Sequence, residues 1–115
     1  AKWLQLKLGD LKHEVFAVLY LNRSNKIMPF EIVSEAGTTS TVVDPKIILK
    51  KALETNAVSI ILSHNHPSGN LKPSQSDKNL TERLLEAAGY LDIKLLDHII
   101  VSDNGYYSFV EAGLI

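Results

Sequence analysis

Two histidines one residue apart, His64 and His66, sit in the segment Ser63-His64-Asn65-His66-Pro67, and Ser74-Gln75-Ser76-Asp77 follows a few residues on. In an extended backbone, residues i and i+2 project to the same side, so two imidazoles can offer nitrogens to one cation. Asp77 shares a helical face with Leu80 and Leu84, and those leucines should face a sheet. An ionised carboxylate aimed at a core needs a partner, and a divalent metal supplies one. Two histidines and one aspartate leave a fourth tetrahedral position for water, the arrangement of a hydrolytic zinc centre. Each piece also has a purely structural reading. A lone histidine on a strand is usually packed or solvated. Ser74-x-x-Asp77 has the form of a capping box with Asp in the Glu place. Pro67, Ser68 and Gly69 are turn formers. Capping and metal binding are compatible roles for Asp77, and the convergence of all these pieces favours the metal.

The elements that must position these residues are legible in outline. Residues 57–62 form an apolar run suited to a buried strand, and sites in open α/β sheets favour the carboxyl ends of strands. Residues 63–73 read as a polar loop, and residues 75–88 as a helix closed by Gly89. Asp44-Pro45 starts another helix, whose apolar stripe is Ile47, Ile48, Ala52 and Leu53, with Lys46, Lys50, Lys51 and Glu54 facing water. Asn56 is its expected stop. Residues 14–21 are dense in β-branched and aromatic side chains, the pattern of a strand covered on both faces. Residues 22–25 suit a hairpin turn. Residues 26–35 suit a second strand, with Pro29 marking an edge or a bulge. Residues 38–43 suit a short third strand, and residues 3–8 a short helix or extended arm. Residues 93–101, the turn Asp103-Asn104-Gly105 and residues 106–110 complete a hairpin. Helices alternating with strands predict an α/β fold, one mixed β-sheet flanked by helices.

Composition narrows the function. The 115 residues suit one domain. With 12 basic and 13 acidic residues the net charge is −1, so there is no basic field for a phosphate backbone. No apolar run is long enough to cross a bilayer. The absence of cysteine excludes disulfides, thiolate zinc sites, cysteine nucleophiles and the Cys pair of the zinc deaminases. With no signal peptide visible, a cytoplasmic location is the expectation. The chain starts at Ala1 and its one methionine is Met28, so a longer protein with an upstream domain is expected.

The spacing His64-x-His66, seven residues, Ser74, two residues, Asp77 resembles the JAMM (MPN-plus) metalloprotease motif. The local form Ser63-His64-Asn65-His66-Pro67-Ser68-Gly69 resembles its bacterial RadC-like branch. So do Glu14-Val15-Phe16 and Leu96-Asp97-His98-Ile99-Ile100-Val101. The similarity runs through nearly the whole chain. It implies a JAMM/MPN-like layered architecture, related to that of the cytidine deaminases. It also implies one zinc ion per chain on His64, His66 and Asp77. Ser74 would stabilise the oxyanion, and Glu14 would be the general base. The implied reaction is cleavage of an amide or isopeptide bond in a peptide or protein. The alternatives are a non-catalytic binding module that retains the metal site, and a DNA-repair-associated role in which an upstream domain meets nucleic acid. Three further residues have bland expectations: a structural hydrogen bond for His98 beside Asp97, solvent exposure for His13, and bracing of the loop for Asn65.

Overall fold

Seven consecutive buried residues make β1 (Val15–Leu21), the sheet's second strand from one edge. Both of its faces are covered, as its unbroken apolar sequence predicts. The computed structural model describes residues 4, 14–24, 26 and 44–115, and the backbone of residues 31–35. The expected strand at 38–43 and His13 lie outside the described residues. So does all of 3–8 except Leu4, which is helical and buried.

The elements run β1, β2 (Glu31–Glu35), α1 (Pro45–Glu54), β3 (Ser59–Asn65), α2 (Gln75–Tyr90), β4 (Lys94–Ser102) and β5 (Gly105–Ser108). They form a mixed five-stranded sheet ordered β2-β1-β3-β4-β5. The β3–β4 pair is parallel, which requires a crossover, and α2 supplies it. The other pairs are antiparallel. β2 is an edge strand, and its register against β1 shifts between Phe16 and Ala17, so the edge carries a bulge.

Both helices pack on one sheet face. Phe16, Val18, Tyr20, Ile60 and Leu62 meet Ile48, Leu49 and Ala52 of α1 and Leu84 and Ala88 of α2. Val15, Ala17, Leu19, Leu21, Ile99 and Val101 form the opposite face, with Leu4 against them. Fully burying one such aliphatic side chain contributes about 1.5–3 kcal/mol.

Asp44 caps α1 by accepting from the Lys46 amide, and Pro45 opens the helix. The buried stripe is Pro45, Ile48, Leu49 and Ala52. Ile47 and Leu53, expected inside, are 59% and 54% exposed. Asn56 ends α1 at φ 56°, with the Ala57 amide bonded to the Ala52 carbonyl. Gly89 does not cap α2. The helix runs to Tyr90, and Asp92 takes the left-handed conformation at φ 56°, with the Ile93 amide returning to the Ala88 carbonyl. β5 is also shorter than expected, because the chain turns after Ser108 and the Ala112 amide bonds its carbonyl.

The loop expected at 63–73 begins later. β3 continues through Ser63, His64 and Asn65, paired on one side with β1 and on the other with Ile99, Ile100 and Val101. Among the described residues, no helix is long and apolar enough to cross a membrane.

Candidate metal centre

His64 enters the site from a strand interior. Ladder pairing to Phe16 and Ile100 fixes its backbone, and its side chain is fully buried. The Phe16 ring stacks on its imidazole, with centroids 5.3 Å apart and planes 9° from parallel. His66 lies one residue beyond β3, its amide bonded to the Val101 carbonyl. The two side chains share a side, as the two-residue period requires, and their Nε2 atoms stand 2.9 Å apart. The turn after His66 passes through Gly69 at φ 83° and brings the Asn70 carbonyl within 2.6 Å of His66 Nδ1. A carbonyl only accepts, so His66 Nδ1 donates and neutral His66 keeps its Nε2 lone pair.

Asp77 reaches the same point from the first turn of α2. Its Oδ2 accepts from the Ser74 amide at 2.8 Å, while Ser74 Oγ accepts from the Asp77 amide at 3.0 Å, completing the capping box. Asp77 Oδ1 lies 3.4 Å from His64 Nε2, and Oδ2 lies 3.8 Å from His66 Nε2. Burial opposes ionisation of this carboxyl. The contact with His64, with the bonds from Ser74, outweighs it and holds Asp77 well below the usual carboxylate range.

Glu14 approaches from the start of β1. Its carboxylate and the ring nitrogens of His64 and His66 all lie within 4.8 Å of one another, close enough to hold a metal ion. Asn65 explains part of this placement. Its side chain points away from the two histidines, and its Oδ1 accepts from the Val15 amide at 2.6 Å, tying the residue after Glu14 to the end of β3. It braces the start of β1. Glu14, His66, Asn70, Lys72 and Ser74 line an open cleft of about 500 Å³. Ser74 Oγ spends a lone pair on the helix cap, which leaves its hydroxyl proton free to donate.

Two imidazole nitrogens backed by two carboxylates form an N,N,O,O donor set that suits zinc. These nitrogens and carboxylate oxygens stand together, and among the described residues no lysine or arginine forms an ion pair with either carboxylate.

Of the five expected site residues, Glu14, His66 and Ser74 line this cleft, while His64 and Asp77 stand behind them, in contact with His66 and with each other. The sequence reading passed over Thr81. Its signal was available: Thr81 is four residues after Asp77, on the same helical face, and buried. His98 makes a structural hydrogen bond, as expected, but to Thr81 Oγ1 and His64 Nδ1, at 2.7 and 2.9 Å. Asp97 is occupied elsewhere. It accepts from the His98 and Val110 amides and from Ser108 Oγ, anchoring the turn after β5. Burial, then the nearness of the His64 ring, push His98 down to about 3, so its ring is neutral.

A family model described as "RadC-like JAB domain" matches residues 1–114. The chain belongs to the RadC-like JAB domain family. A "UPF0758 protein" of Flavobacterium johnsoniae is 46% identical over 111 residues, covering 96% of this chain and 48% of that protein. The Escherichia coli K12 proteins named YfjY and YeeS, also UPF0758, are 45% and 43% identical and are covered over 71% and 77% of their lengths. The chain thus spans about half of the Flavobacterium relative. The mixed sheet with its two helices is the α/β architecture that this RadC-like JAB domain was expected to have.

Proposed function

We propose that this RadC-like JAB domain is a zinc-dependent hydrolase that cleaves an amide or isopeptide bond in a peptide or protein. The observation that carries the reading is the convergence of His64 Nε2 and His66 Nε2, 2.9 Å apart, with the Asp77 and Glu14 carboxylates at the mouth of an open cleft. His64, His66 and Asp77 would hold the metal. Zinc bound there would supply Lewis-acid polarisation and water activation near neutral pH.

The chain's own residues account for the rest. Glu14 carries a carboxylate beside the histidines and faces the cleft, so it can take a proton from an attacking water and deliver it to the leaving amine. Ser74 Oγ–H can donate to the substrate carbonyl oxygen as negative charge develops there. The capping box locks Ser74 and Asp77 together, so one helix start orients both groups.

The test combines metal analysis with turnover. Purified protein loaded with zinc should carry about one ion per chain, and a peptide-library digest followed by mass spectrometry should show chelator-sensitive cleavage. A His64→Ala/His66→Ala double variant should lose both. Equal zinc in wild type and double variant would overturn the metal assignment. Zinc in wild type with no cleavage of any amide or isopeptide probe would favour the non-catalytic binding module.

A further inference from the structure

Behind His64 runs a second line of hydrogen bonds that the proposed hydrolysis does not use. Thr81 Oγ1 lies 2.9 Å from the Asp77 carbonyl and 2.7 Å from His98 Nδ1, and His98 Nε2 lies 2.9 Å from His64 Nδ1. Thr81, His98 and His64 are all buried, so the Thr81 hydroxyl, both ring nitrogens of His98 and His64 Nδ1 find their partners within this line.

The direction of every bond follows from one acceptor. The Asp77 carbonyl cannot donate, so the single hydroxyl proton of Thr81 goes to it. Thr81 Oγ1 then accepts, and His98 Nδ1 must be the donor. A neutral His98 with its proton on Nδ1 has a lone pair on Nε2. His64 Nδ1 must therefore donate to that lone pair, and in the neutral ring that metal binding requires, this leaves His64 Nε2 unprotonated and facing His66 Nε2. Aromatic rings hold the line in place: Phe109 stacks on His98 with centroids 4.4 Å apart and planes 14° from parallel, while Phe16 stacks on His64.

We propose, on the reading that His64 and His66 hold a metal, that Thr81 and His98 are positioning residues. Their one-way chain from the Asp77 carbonyl fixes the His64 tautomer that presents Nε2 to the ion. The chain starts on the backbone of Asp77 and ends on His64, so the helix and strand that supply two of the ligands are locked to each other behind the site. Partners in this position commonly change metal affinity by about 10–100-fold when removed.

Two measurements test it. The first is 15N NMR of the imidazoles in the protein as purified, which locates the proton between His64 and His98 without reference to metal. The expected result places it on His64 Nδ1, with His98 Nε2 unprotonated. A proton on His98 Nε2 would overturn the proposal. The second is cobalt affinity by chelator competition. His98→Phe keeps a flat ring against Phe109 but cannot accept, and should bind cobalt about 10–100-fold more weakly. His98→Gln restores an acceptor and should recover much of the loss, and Thr81→Val should fall between the two. Equal loss in His98→Phe and His98→Gln would reduce the role to packing and overturn the proposal. If His98→Phe does not fold, the NMR result on wild type still decides. Wild type that binds no cobalt while holding the proton on His64 Nδ1 would overturn the metal reading and leave the direction of the chain standing.

Discussion

Asp77 Oδ1 lies 3.4 Å from His64 Nε2 while the same carboxylate, through Oδ2, closes the capping box on the Ser74 amide. One side chain thus serves the helix start and the candidate metal centre at once. The two roles can be separated. Asp77→Asn keeps an oxygen for the Ser74 amide but removes the charge. Metal affinity should drop at least tenfold, and metal-free stability by only about 0.3–1 kcal/mol, the scale of a lost charge at a helix N-terminus. Isothermal titration and denaturant melts of the same samples check both. Undiminished affinity would remove Asp77 from the ligand set.

Ser74 also has two roles, and glycine divides them. At an N-cap, glycine costs only a few tenths of a kcal/mol relative to serine, whereas alanine costs about 0.5–2 kcal/mol. Ser74→Gly should therefore stay folded while losing the hydroxyl donor. If that donor stabilises the oxyanion, kcat should fall about 10²–10³-fold. Unchanged kcat in Ser74→Gly would confine Ser74 to capping.

Glu14 lies within 4.8 Å of both ring nitrogens, so its replacement must be tested for metal loss as well as for rate. Glu14→Gln preserves size and one hydrogen bond but cannot take a proton. Zinc content should stay near one per chain while turnover falls about 10²–10⁴-fold. A variant that loses its zinc would make Glu14 a ligand instead of the base.

Acid stability should report His98. Its pKa is lowered in the folded protein to about 3, from 6.5. Between these values the unfolded chain binds the proton and the folded chain does not, so stability falls as pH drops from about 6.5 towards 3. The lowered Asp77 carboxyl adds its own loss only below its ordinary value of 3.8. His98→Gln removes the first loss, so its urea midpoint should decline less than that of wild type from pH 6.5 to pH 4. Parallel declines would show that His98 is not excluded from protonation by the fold.

Most of the fold was legible because its signals are local. β1 reads as a doubly covered strand from its own residues, Asp44-Pro45 starts a helix by itself, and Asn56 ends it. Misreadings came where partners decide. Ile47 and Leu53 are as apolar as Ile48 and Leu49, and only the approach of α1 to the sheet selects which stripe is buried. Gly89 looks like a helix end, yet the helix runs to Tyr90 and the left-handed residue that closes it is Asp92.

The sequence by itself determined the chemical inventory: two imidazoles on one side of an extended segment, a capping serine and aspartate a helix turn apart, and no thiol. Spacing is enough for these, because strand and helix periods convert sequence separation directly into direction. Only the tertiary structure decided what stands behind them. Thr81, His98 and His64 belong to α2, β4 and β3, and the parallel β3–β4 pairing with its α2 crossover brings them into one hydrogen-bonded line. No local period links these three positions. Their contact, the anchoring of Val15 by Asn65, and the place of Glu14 beside the histidines all depend on strand register, which forms only when the whole sheet is assembled.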